Sequence, residues 1–253
     1  MKKNVIILTS GLTGSSVLTG LITRAGYWPG DFTHKKKDDY DTYENEELIN
    51  LNRRLFKQAN YHGNYLMDFA PDVMARIASL PSEDAYTKFI EKCAQHRPWV
   101  WKDPRLGLTI RFWKKLLNLN DCKFIVLTRG FRQLWVSTVR RGQIVSYGDS
   151  KRFEKQILAS AAGFLKSNQI SYLSLRYEEL IVQPVETIAK LNTYMEANLT
   201  LDDLKAIYHK PLYQIPGNSV LDFSKAVLKY FKNYSERMRI PAERSIADRA
   251  PLS

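Results

Sequence analysis

The stretch Thr9-Ser10-Gly11-Leu12-Thr13-Gly14-Ser15-Ser16 follows the apolar run Val5–Leu8 and precedes an apolar helical pattern. Gly11 and Gly14 allow a tight turn and close backbone approach to a ligand. Successive N–H groups then face inward, and the following helix adds its positive end. Thr13, Ser15 and Ser16 add hydroxyl donors, so the loop suits a phosphate. A nucleoside-triphosphatase loop reads G-x-x-x-x-G-K-[ST]; here Ser15 follows Gly14, which argues against ATP or GTP. Taken alone, a Gly/Ser-rich turn that binds nothing explains the stretch equally well. Two further segments carry cations at expected strand ends. "VWKDPRLG" places Lys102, Asp103 and Arg105 there, and Pro104 opens a helix where its missing N–H costs nothing. In "FIVLTRGFRQLWVSTVRRG", Arg129 follows a strand directly, Ser137 lies on the next helix, and Arg141 lies one turn beyond it on the same face. Arg129 and Ser137 can pinch a second anion, each charged hydrogen bond contributing roughly 1.5–3 kcal/mol. The plainer reading is that Asp103 caps a helix, Arg129 ends a strand and Ser137 fills a helix.

The elements that must position these residues follow from hydrophobic periodicity. Val5–Leu8 and the runs 65–69, 123–128 and 171–175 read as buried strands, with 99–103 as a possible fifth. Helical spacing covers Ser16–Ala25, Glu44–Gln58, Pro71–Leu80, Ser82–Gln95, Leu106–Leu117, Arg132–Arg140, Lys151–Lys166 and Val185–Ala197. Strands alternating with helices predict an α/β fold, a central parallel sheet flanked by helices on both faces. Ligands in such folds sit at the carboxyl ends of the strands. That rule points to the loops after Leu8, after "WVWKD" and after "FIVLT".

The chain has 253 residues, enough for one domain over 1–240, with a polar tail expected at 241–253. The net charge of +12 favours an anionic partner, but lysines and arginines are spread out, and the densest run, Lys35–Lys37, is short. No alternation of aromatic and basic residues suggests a single-strand binder, so no nucleic-acid partner is expected. Cys93 and Cys122 are the only cysteines and form no metal spacing or disulfide framework; His34, His62, His96 and His209 form no zinc pattern. No metal is expected. The apolar run near the start is too short for a secretory signal, and no stretch approaches the ~20 apolar residues of a membrane span. A cytoplasmic protein is expected; oligomeric state is not legible.

In order, a Gly/Ser/Thr loop after the first strand, K-D-P-R, strand-R-x7-S-x3-R and "LRYEELIVQP" resemble the sulfotransferases that use 3′-phosphoadenosine-5′-phosphosulfate, and most closely their bacterial and tyrosylprotein-type branches. The resemblance spans roughly residues 4 to 190. It implies a P-loop, nucleotide-kinase-like domain and in-line transfer of a sulfuryl group to a hydroxyl or amine acceptor, without a metal. It implies that Gly11, Leu12, Thr13, Gly14, Ser15 and Ser16 hold the 5′-phosphosulfate. Arg129 and Ser137, supported by Arg141, would hold the 3′-phosphate; Tyr177 would lie by the nucleotide; Lys102 would lie by the bridging oxygen and sulfuryl group.

The sequence departs from that family at Leu12, where Lys or Arg usually precedes [ST]-G-[ST]. Sulfuryl transfer relies on positioning and electrostatic stabilisation, so Lys102 and backbone N–H groups would carry that load, or the protein binds nucleotide without turnover. For the general base the resemblance nominates Asp31 in "PGD", with His34 and Glu44 as alternatives. Asp31 equally suits a turn after Pro29-Gly30, His34 a solvated loop, and Glu44 the start of the next helix. Aromatic residues nearby, Tyr27, Trp28, Phe32, Tyr40, Tyr43, Trp99, Trp101 and Trp135, are divided by the sequence into neither core nor acceptor site. A phosphoryl transferase on the same scaffold and a non-catalytic nucleotide binder stay open.

Overall fold

The computed structural model describes residues 2–35, 41–207 and 220–234. Its elements in chain order are β1 (Asn4–Thr9), α1 (Ser15–Arg24), β2 (Thr33–Lys35), β3 (Asp41–Asn45), α2 (Glu46–Gln58), α3 (Pro71–Ser79), α4 (Asp84–Gln95), β4 (Val100–Lys102), α5 (Leu106–Trp113), β5 (Cys122–Thr128), α6 (Phe131–Arg140), α7 (Tyr147–Ser167), β6 (Tyr172–Arg176), α8 (Glu179–Val182), α9 (Pro184–Met195), α10 (Leu201–Ile207) and α11 (Val220–Lys232). The strands β4-β1-β5-β6 form one sheet in that order, and every pairing is parallel. A separate antiparallel pair joins β2 and β3.

All of β1 is buried because apolar side chains leave it on both faces. Ile6 and Leu8 join Trp101, Phe124 and Val126 in a core under α2–α5 and α7. Val5 and Ile7 join Val100, Ile125, Leu127 and Leu175 in a second core under α1, α8, α9 and α10. A third cluster forms where Trp135, Val136 and Val139 of α6 meet Ala226 of α11. This single α/β domain places the carboxyl ends of β1, β4, β5 and β6 along one edge of the sheet.

Three expectations are corrected. Residues 171–175 contribute a strand, β6, but not a buried one: it ends the sheet order, Tyr172, Ser174 and Arg176 are exposed, and only Leu175 is buried. Residues 65–69 form no strand. Asn64 nucleates a turn instead: its side chain accepts from Leu66 N at 3.0 Å, and its carbonyl accepts from Met67 N and Asp68 N at 2.9 and 2.7 Å. The run is apolar because Tyr65 is buried and Leu66 packs against the core. Glu44 does not open the helix. It lies in β3, and Asn45 caps α2, its side chain accepting from Glu47 N and Leu48 N at 2.9 and 3.2 Å. Tyr40, His209, Lys36, Lys37 and the expected tail at 241–253 lie outside the described residues.

Candidate functional site

The loop after β1 takes left-handed backbone at Gly11, Leu12 and Gly14, with φ of 85°, 56° and 80°. Such a conformation curls successive N–H groups into a concave surface for an anion. Thr9 and Thr13 hydroxyls hydrogen-bond at 2.5 Å across the turn, and Gly11 N donates to Thr9 Oγ1 at 3.3 Å, which fixes the curl. Gly14 leads into α1, whose first turn has no side-chain cap and no acidic residue, so its positive end stays unneutralised. A Cβ at Gly14 would stand 2.3 Å from the Tyr177 ring, so glycine there serves both the left-handed backbone and the ring's close approach. Ser10, which no sequence argument singled out, has a buried hydroxyl with no hydrogen-bond partner among the described residues.

Lys102 ends β4, which pairs with β1 at Ile7. Strand adjacency therefore brings its ammonium to the loop. Nζ donates to Ser16 Oγ at 3.2 Å, to the Thr42 carbonyl at 3.1 Å and to Glu44 Oε1 at 2.6 Å. These three bonds use all three ammonium donors, and Lys102 is only 2% exposed. The β2–β3 hairpin, invisible to the sequence argument, delivers both Thr42 and Glu44. Beneath this pair a buried network stiffens the turn after β4. Asp103 accepts from Arg105 NH1, Arg105 N and Asn52 Nδ2 at 2.8, 3.0 and 2.8 Å. Arg105 NH2 donates to Tyr65 Oη at 3.0 Å, and Trp113 Nε1 donates to Asn52 Oδ1 at 2.8 Å. Burial alone would lower the Arg105 pKa, but Asp103, Tyr65 and Glu44 together raise it. Burial pushes the Tyr65 phenol up as well. Asp103 thus holds a structural position rather than an open one.

Arg129 leaves the end of β5 and crosses to the loop, where NH1 donates to the Leu12 carbonyl at 3.2 Å. Its guanidinium lies 5.0 Å from the centre of the Tyr177 ring, and its buried Nε has no hydrogen-bond partner among the described residues. Burial lowers its pKa, and the Arg141 guanidinium lowers it further against Tyr177 and Glu178. A cation desolvated beside another cation is a place where an incoming anion gains most. Ser137 is nearly buried on α6, and Arg141 follows that helix as its C-terminal cap residue. Glu178 Oε1 accepts from Gly130 N at 2.8 Å, anchoring the turn between Arg129 and α6.

Asp31 is not among the hydrogen-bond partners of Lys102. Asp31 is exposed; it pairs with Lys92 at 2.8 Å and accepts from Trp28 Nε1 at 3.3 Å. Its hydrogen bond to Lys92 holds its carboxyl below the usual range. His34 is half-buried on β2, where its carbonyl accepts from Thr42 Oγ1 at 2.7 Å. Tyr27, Trp99, Trp101 and Trp135 belong to the core, whereas Phe32 is 76% exposed and Trp28 stacks on His96. Among the described residues no group of three or more His, Cys, Asp or Glu side chains is placed to hold a metal ion.

No protein-family model matches this chain, and no curated protein matches it in sequence. Solved structures do match. The sulfotransferase domain of the Synechococcus PCC 7002 olefin synthase superposes with a TM-score of 0.50 at 17% identity, covering 100% of this chain and 92% of that one. The sulfotransferase domain of the curacin biosynthetic pathway superposes with a TM-score of 0.51 at 16% identity, covering 98% and 96%. The chain therefore has the fold of bacterial sulfotransferase domains, with its candidate anion-binding residues gathered at the carboxyl edge of the sheet.

Proposed function

We propose that this protein transfers a sulfuryl group from 3′-phosphoadenosine-5′-phosphosulfate to a hydroxyl or amine acceptor. The observation that carries the reading is the buried Lys102 ammonium, bonded on one side to Ser16 of the glycine loop and on the other to Glu44. A cation and a carboxylate that share one hydrogen bond at the mouth of an anion-binding loop supply the two charges this chemistry needs. The loop N–H groups, Thr13, Ser15 and Ser16 bind the 5′ end of the donor. Arg129, Ser137 and Arg141 grip the 3′-phosphate, and Tyr177 packs beside the nucleotide.

Lys102 turns from Glu44 toward the bridging oxygen and stabilises the charge that gathers there. Glu44, released from the ammonium, accepts the acceptor's proton. The acceptor oxygen (or nitrogen) forms its bond to sulfur as the bond from sulfur to the bridging oxygen breaks. That oxygen keeps the electron pair and leaves as adenosine 3′,5′-bisphosphate. Among the base candidates Glu44 is favoured over Asp31 and His34 because it alone touches Lys102. Leu12 carries no charge, so Lys102 and Arg129, whose NH1 already reaches the Leu12 carbonyl, supply the positive charge at the loop.

The test is a thermal-shift panel of adenosine 3′,5′-bisphosphate, AMP and ATP with magnesium. Saturation at a hundredfold over Kd stabilises by about 2.7 kcal/mol, which raises Tm by roughly 5–10 °C in a chain of this size. A shift confined to the bisphosphate is expected. A shift with magnesium-ATP alone would overturn the reading in favour of phosphoryl transfer.

A further inference from the structure

On α6, α11 packs through Ala226, with Phe223, Val227 and Tyr230 partly buried against Trp135 and its neighbours. Its outward side carries four exposed apolar side chains, Val220, Leu221, Leu228 and Phe231 at 75%, 64%, 69% and 66%, around Ser224, whose hydroxyl donates to the Val220 carbonyl at 2.9 Å. The 3.6-residue period sets these four along one arc of the helix. Cations border that arc. Lys225 and Lys232 are exposed on α11 itself, and Lys229 reaches the Arg140 carbonyl at 2.6 Å. From α6, Arg132 lies over the Phe223 ring at 4.6 Å, and Arg140 is half-exposed. Asp222 is the one acidic residue of the helix, and it faces Arg140 at 3.8 Å.

We infer that this face docks on an anionic lipid surface, with Leu221, Leu228 and Phe231 entering the boundary between headgroups and acyl chains and the lysines contacting the headgroups. An apolar arc edged by cations on a short helix is the pattern of an interfacial helix. Charge complementarity selects this occupant. A two-fold pairing of the same face on a second copy would set one cluster of cations against another. The chain's net charge of +12 draws it toward an anionic membrane in the same sense.

The full chain is sedimented with vesicles of phosphatidylcholine alone and of an equal mixture with phosphatidylglycerol. Binding to the mixture, weakened by salt, is expected. Leu228→Ser with Phe231→Ser, and separately Lys225→Gln with Lys232→Gln, should each weaken partitioning roughly tenfold or more. All four side chains are exposed, so Tm should hold within a few degrees and certify the fold. Absence of binding to the mixture would overturn the inference, as would equal binding to both vesicles. A wild-type dimer that the Leu228/Phe231 variant converts to a monomer would overturn it too, by assigning the face to a second copy. Sedimentation needs neither donor nor acceptor, so its outcome is separate from that of the proposed reaction.

Discussion

Replacing Lys102 by methionine keeps an unbranched chain of similar length and deletes the charge. In the native protein the ammonium is 2% exposed and the Glu44 side chain 14% exposed, at 2.6 Å. Breaking a buried pair by removing one partner typically costs about 3–5 kcal/mol, because the other charge stays desolvated. Glu44 keeps some access to water, so the cost here falls to about 2–4 kcal/mol. For a chain of this size that lowers Tm by roughly 4–16 °C. Adding Glu44→Gln removes the stranded carboxylate, and the double variant should regain most of the loss and come within about 1 kcal/mol of the native protein. Both variants should have no sulfuryl-transfer rate, while adenosine 3′,5′-bisphosphate still shifts their melting through the Arg129 clamp. The assay is calorimetric melting of the native, single and double proteins, with and without bisphosphate. A Lys102→Met protein that melts within a degree or two of the native one would refute the buried pair. So would a double variant no more stable than the single.

Arg129→Ala removes a bond to the Leu12 carbonyl and the stacking on Tyr177, and should weaken bisphosphate binding by roughly 10- to 150-fold, read by calorimetric titration. Gly14→Ala should lower both binding and Tm, because its Cβ would meet the Tyr177 ring at 2.3 Å on a backbone with φ of 80°; unchanged binding would deny the loop's role. Burial, and then the neighbouring Glu178, push the nearly buried Glu154 carboxyl up to about 7. The folded state then holds a proton that the unfolded state releases near its ordinary value. Glu154 therefore stabilises the fold at low pH, and that stability is lost as pH rises from about 4.5 through 7. Glu154→Gln should flatten this dependence, gaining a few degrees of Tm at pH near 8 relative to the native protein. Burial pushes both cysteine thiols up to about 12, so neither should react with a thiol reagent until the protein unfolds.

The buried sheet was legible because the middle of a parallel strand covered on both faces is apolar at every position, as Val5–Leu8 and 124–127 are. The same rule misread 65–69, where Tyr65 is as buried as a strand residue but the backbone turns on Asn64. Burial and extension are separate properties, and an apolar run reports only the first. The cations at strand ends were legible for a similar reason: Lys102 and Arg129 each interrupt an apolar run at its carboxyl end. Glu44 was named as an alternative base, but its place was misread as the start of a helix, because "DTYENEEL" carries helix-favouring acids and nothing local shows that β3 runs on to Asn45 before α2 begins. Its partnership with Lys102 spans 58 positions and exists only through the β2–β3 hairpin. Asp31, the residue a short motif singled out, belongs to a surface pair with Lys92 instead.

If the loop binds a phosphosulfate as proposed, Leu12 leaves its electrostatics to residues delivered from elsewhere in the chain. A loop cation acts at the leaving oxygen through its distance, not through its place in the chain. Arg129 arrives at the Leu12 carbonyl from β5, and Lys102 arrives at Ser16 from β4, so strands on either side of β1 each deliver a cation to the turn. Adding a charge by Leu12→Lys would place a third cation beside two already desolvated ones. Without nucleotide this should lower Tm, by like-charge repulsion; with the bisphosphate bound, whose two phosphate monoesters each carry about −1.5 to −2 at pH 7, the same charge should be attractive. The substitution is therefore expected to widen the gap between free and bound melting temperatures by several degrees. If Arg129 and Lys102 already saturate the loop's demand for positive charge, turnover in Leu12→Lys will rise less than tenfold. A rise of a hundredfold or more would show instead that the native loop lacks a cation its chemistry requires.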